Sequence, residues 1–122
     1  MIKLFLMAGS LFCMLSVVLG AFAAHGLKSR VSEYAIGVFK TAAEYQMFHG
    51  LALIAVAILI KWGLNLTAAG CFFIAGILLF SGSLYLLAVT GWKWLGPITP
   101  LGGLCFIVGW LIILVQVARF KF

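Results

Sequence analysis

Charged side chains are so sparse in this chain that they cut it into long uninterrupted apolar runs. Leu4 to Ala24 is 21 residues without a charge, Tyr45 to Ile60 is 16, Trp62 to Trp92 is 31 and Trp94 to Ala118 is 25. About twenty residues of helix, at 1.5 Å each, cross the roughly 30 Å hydrocarbon layer of a bilayer. The runs therefore predict a single all-α transmembrane domain over residues 1–122. Its four helices are expected near residues 4–24, 45–61, 66–90 and 101–118, joined in an up-down bundle. Composition agrees. Apolar residues make up 66% of the chain and charged residues 8%, against about 45–50% and about 25% in a soluble domain. So short a chain cannot bury that much apolar surface in its own interior, and the excess must face lipid.

The second run is short for a span, but the segment before it can lengthen it. Ser32 is a suitable N-cap, and Glu33 places a negative charge in the first turn, where the helix dipole favours it. Tyr34, Ile36, Val38 and Phe39 supply apolar positions, while Gly37 weakens the pattern. An amphipathic or continuous helical segment before helix two is expected. Pro97 and Pro100 suit the start of the fourth helix better than its interior. Trp62, Trp92 and Trp94 fall at span ends, where aromatic belts lie. Lys3, the apolar run and Ala21-Phe22-Ala23 have the form of a signal peptide, yet the run is long enough to span and is read as an uncleaved first helix.

Charge excludes several functions. The chain has no Asp and only two Glu, which removes carboxylate-dyad hydrolases and oxygen-ligand metal sites of the EF-hand kind. The net charge of +6 comes from eight Lys and Arg that sit between or at the ends of apolar runs, as snorkelling membrane anchors do. No basic run with interleaved aromatics is present, so nucleic acid is not an expected partner. Cys13, Cys71 and Cys105 form no CxxC pair and read as small buried hydrophobes. No pattern calls for a cofactor or a metal.

Threading four spans puts the first and third loops on one side of the membrane. That places His25, Lys40, Glu44, Tyr45, His49, Ser81, Ser83, Tyr85 and Thr99 in one leaflet, opposite a plainer end. Thr41, Tyr45 and His49 share one helix face at i, i+4 spacing. Lys40 and Glu44, and Ser81 and Tyr85, have the same spacing, and the first pair could form an ion pair. A charge within a span costs about 2.5–3.5 kcal/mol on insertion scales, so Glu44 and His49 lead the candidates for a ligand site. The same residues would equally serve a structural network that fixes helix register. A Ser-His-Glu hydrolase lacks its GxSxG, and a haem or metal site lacks its histidine spacing. The Gly96 to Gly103 stretch reads as a turn and packing element before helix four, with anion binding at its amides as the sharper alternative. Small residues recur as Ser16, Gly20 and Ala24, as Ala75 and Gly82, and as Gly102 and Gly109, and such stripes should face other helices.

Gly20 to Leu27 (GAFAAHGL), Phe39 to Leu53 (FKTAAEYQMFHGLAL), Phe80 to Tyr85 (FSGSLY) and the Gly96 to Gly103 stretch together resemble the YgdD/YwdK-like family of small bacterial membrane proteins. The resemblance implies a four-helix protein of the bacterial inner membrane. It assigns no catalytic or cofactor-binding residue. The expected function is non-enzymatic: binding of a lipid, a small lipophile or a partner membrane protein at the loop-one/loop-three end. The alternative is a small transporter or channel subunit with a Glu44/His49 proton relay. Four Lys or Arg fall on each side of the membrane, so the positive-inside rule assigns no orientation. Such a balance also permits dual insertion and an antiparallel dimer, one form of homo-oligomer.

Overall fold

A computed structural model describes all residues from Met1 to Phe122. The protein is all-helical, with four helices long and apolar enough to cross a membrane. Helix α1 covers Ile2–His25, α2 Glu33–Lys61, α3 Thr67–Thr90 and α4 Ile98–Arg119. A 3-10 turn at Lys93–Leu95 leads into α4.

The segment before the second span is continuous with it. Ser32 has an extended backbone and its hydroxyl accepts a hydrogen bond from the Ala35 N–H at 3.1 Å, capping α2 as its position suggests. α2 then runs for 29 residues, about 43 Å, longer than the hydrocarbon layer alone requires. At the end of α3, Gly91 takes a left-handed conformation (φ 70°) and its N–H returns to the Leu87 carbonyl at 2.8 Å. Side chains other than Gly are strained there. Pro97 and Pro100 flank the first turn of α4, where the missing N–H groups would have had no helical partner.

Consecutive helices pack side by side, and α2 is the central one. Of the residues in its most apolar stretch 44% are buried, against 17% in α1 and in α4, so the two outer helices give most of their surface to lipid. In hydrocarbon, apolar side chains gain little by leaving their surroundings, and association depends on close packing. Glycine supplies it. A Cβ on Gly9 of α1 would lie 2.7 Å from the Gly50 carbonyl oxygen of α2, and one on Gly50 would lie 2.8 Å from Cys13 Sγ. Between α3 and α4 the fit is reciprocal: the Phe106 ring lies on Gly76 and the Phe73 ring on Gly109. Gly102 admits the backbone of Phe80 itself, which no side chain at that position would allow.

These contacts correct part of the small-residue reading. Gly102 and Gly109 do face a neighbour. Of the Ser16, Gly20 and Ala24 stripe on α1 only Ser16 is buried; Gly20 has open space beside it and Ala24 is exposed. Gly82 also faces open space, and the close approaches on α3 are at Gly70 and Gly76. An i, i+4 pattern cannot select its own partner when every face of the helix is apolar. The cysteines are also less buried than expected: Cys71 is exposed, and Cys13 and Cys105 are half-buried.

α3 carries a feature with no sequence signal. Its middle widens into a π-helical turn at Ile77–Ser81. Such turns are often found at functional sites. Here the turn packs against α4 at Gly102 and against α2 through Ser81.

Candidate functional site

The polar residues of the loop-one leaflet separate into a sealed interior set and an exposed set. His49 anchors the interior. Its ring is 5% exposed and stacks on Phe106 with 3.6 Å between centroids. Nδ1 lies 2.7 Å from the Tyr45 carbonyl oxygen, and the Trp110 indole N–H reaches Nε2 at 3.1 Å. A carbonyl can only accept and an indole N–H can only donate. Nδ1 therefore holds the proton and Nε2 holds none, and the neutral ring has no free position for a ligand or for a second proton.

A second chain of hydrogen bonds ties three helices together. The Tyr85 hydroxyl of α3 donates to Gln46 Oε1 of α2 at 2.7 Å, and Gln46 Nε2 donates to the Phe12 carbonyl of α1 at 2.9 Å. The Ser16 hydroxyl donates to that same carbonyl at 2.8 Å. Ser81, fully buried, donates to the Ala42 carbonyl at 2.8 Å. The Ser83 hydroxyl lies 2.9 Å from the Phe80 carbonyl oxygen and shares a 2.6 Å hydrogen bond with the Thr99 hydroxyl, which links α4 to α3. No buried side-chain nitrogen or oxygen lacks a partner. The network is complete, as hydrocarbon requires.

The other candidates are elsewhere. His25 is exposed at the end of α1. Lys40 and Glu44 are exposed and do not close into an ion pair with one another. They border a shallow groove of about 330 Å³ between α1 and α2, floored by Ser16, Gly20 and Ala43. Glu44 and His49 are five residues apart, about 140° around the helix at 100° per residue. One faces this groove and the other the α3–α4 interior. The geometry gives no support to a proton relay between them. Tyr45 contributes its carbonyl to His49 while its ring, 39% exposed, tilts against Phe80 at 4.7 Å between centroids.

The largest cavity lies at the expected end but is lined by none of the nine candidates. It measures about 640 Å³ and opens between the start of α2 and the end of α3. Val31, Ala35 and Val38 face Leu87 and Ala88 across it, with Ser32, Thr90 and Lys93 among its polar lining. A smaller cleft of about 400 Å³ follows the same α2–α3 seam inward, sharing Tyr34 and Val38 and reaching Thr41 and Leu84. Gly37 leaves it open, because nothing lies within 4 Å of where its Cβ would be.

Two partners of His49, the buried Phe106 and the half-exposed Trp110, escape a reading by polar type alone. Trp110 and Phe106 enclose His49, and only Trp110 leaves a trace. Three of the four tryptophans sit at span ends, whereas Trp110 lies mid-helix, where its N–H needs a partner.

Comparison with known proteins fits this architecture. The family model described as "Protein of unknown function (DUF423)" matches residues 19–103, which is most of the chain. The chain belongs to the DUF423 family. A UPF0382 membrane protein of Staphylococcus aureus is 46% identical over 121 residues, covering 98% of each chain. The UPF0382 membrane protein YwdK of Bacillus subtilis is 44% identical over 121 residues, covering 97% of this chain and 98% of its own. A UPF0382 membrane protein of Staphylococcus haemolyticus is 44% identical over 119 residues, covering 97% and 98%. No solved structure matches. The DUF423 match takes in loop one, both clefts and the Pro/Gly turn. This chain is thus a small integral membrane protein of that family.

Proposed function

We propose that this DUF423 protein binds an amphiphile from the surrounding bilayer, in the cleft between the start of α2 and the end of α3. The observation that carries the reading is the cavity itself: about 640 Å³, within the usual range of roughly 300–1,000 Å³ for small-molecule sites, with the apolar lining and few polar groups typical of them. Its depth supports the same reading. Twenty residues, about 30 Å, counted up from Lys61 on α2 end at Thr41, and from Thr67 on α3 end at Leu87. The large cavity therefore lies at headgroup level, and the smaller cleft at the edge of the hydrocarbon. The sealed interior network is the frame that holds α2 and α3 apart at this spacing. We place the protein in the bacterial cytoplasmic membrane, a reading supported by its four apolar spans and by relatives from Staphylococcus and Bacillus.

The test is native mass spectrometry of the protein released from mild detergent. Wild type is expected to carry a discrete amphiphile adduct, and Val38→Trp, which fills the cavity, to lose it while remaining folded. Bare wild-type protein under conditions that preserve lipid adducts on other membrane proteins would overturn the reading.

A further inference from the structure

We propose that the occupant of this cleft is a phospholipid with a net negative headgroup, standing in the leaflet on the loop-one side. The inference rests on the amphiphile reading above and names the chemical class. Three observations carry it. First, Lys93 is the one charged residue in the lining of the large cavity, which contains no carboxylate. Its ammonium has no hydrogen-bond or ion-pair partner within the protein. A phosphate finds a counter-charge there, whereas the ammonium of a zwitterionic headgroup finds none. Second, the apolar walls continue into the smaller cleft past Val38 to Thr41, about one turn deeper along α2, with Leu84 of α3 opposite. A free phosphate ion would leave this surface unused; the first methylenes of an acyl chain would cover it. Third, Gly37 lines the smaller cleft, and nothing lies within 4 Å of where its Cβ would be, so the path beside it is open.

A single Lys at an anionic surface contributes a preference of about fivefold. The acyl path predicts a separate effect, loss of binding without loss of headgroup preference.

The experiment is lipid exchange in nanodiscs of equimolar phosphatidylglycerol and phosphatidylcholine, followed by native mass spectrometry of the retained lipids. Wild type is expected to retain phosphatidylglycerol over phosphatidylcholine by about fivefold. Lys93→Gln should bring the ratio close to unity with total retained lipid little changed. Gly37→Leu, whose Cβ has open space and whose side chain would enter the smaller cleft, should reduce total retained lipid severalfold. Excess glycerol phosphate should not compete; if it displaces the bound species, the site takes a free phosphate and the phospholipid inference fails. Retention of both lipids in equal amounts by wild type would overturn the charge argument while leaving amphiphile binding in place. Unchanged retention in Gly37→Leu would overturn the acyl path. Retention of no amphiphile at all would remove the underlying reading.

Discussion

The interior of the loop-one leaflet and the cleft beside it are built from the same helices but use polar groups in opposite ways. Inside, every donor has an acceptor: His49 is held by Tyr45 and Trp110, Gln46 by Tyr85 and Phe12, Ser81 by Ala42. In the cleft, Lys93 stands over apolar walls with no partner from the chain. A group whose hydrogen bonds are all used within the fold has little left to offer a ligand. The contrast teaches that rarity in a membrane sequence marks a residue as necessary without saying for what. His49 is the rarest chemistry in the span and has both ring nitrogens bonded within the fold, whereas the cleft is assembled mainly from common residues.

That contrast can be broken at several points. The largest effect should come from the frame. Gly102→Leu drives a side chain into the Phe80 backbone, and overpacking of this kind costs roughly 1–3 kcal/mol or more. Little folded protein should be recovered, and a well-folded Gly102→Leu monomer by size exclusion would show that α3 and α4 are not packed as described. Next is His49→Ala, which removes the Phe106 stack and leaves the Trp110 N–H without its acceptor. A loss of about 2–4 kcal/mol is expected, measured by denaturant titration in micelles, and His49→Phe should recover part of it by restoring the stack. Tyr85→Phe removes only the bond to Gln46. Interhelical hydrogen bonds in membranes average about 0.6 kcal/mol, so its melting temperature should fall by a small but measurable amount. The smallest effect is expected for Glu44→Gln, since Glu44 is exposed and has no ion-pair partner in the fold. Stability within about 0.5 kcal/mol of wild type is expected. A larger loss would mean that Glu44 has a partner outside this chain.

How much of this was legible in the residues follows from which signals survive in an apolar sequence. Charge interruptions located four helices, and Ser32 marked the start of α2, because capping and insertion are local and one-dimensional. The polar leaflet was legible for the same reason: threading alone brings His25, Lys40, Glu44 and His49 to one end. The split of that set was not. Whether Glu44 or His49 faces inward depends on which side of α2 meets α3, and a helix apolar all round carries no moment to show it. The π-turn at Ile77–Ser81 was invisible because nothing in its apolar run marks a wider turn, and its contact with Gly102 lies across the interface. The cleft was missed because its lining is ordinary: Val31, Val38, Leu87 and Ala88 differ from lipid-facing residues only in where the backbone puts them.

The most direct test of the account is a double dissociation between frame and cleft. His49→Phe, which keeps the ring but loses both hydrogen bonds, and Val38→Trp, which fills the cavity, are compared for thermal stability and for bound amphiphile by native mass spectrometry. The account predicts that His49→Phe lowers the melting temperature and keeps its adduct, whereas Val38→Trp keeps its melting temperature and loses the adduct. A folded His49→Phe protein without adduct, beside a Val38→Trp protein that retains it, would contradict the account and return the binding site to the polar interior.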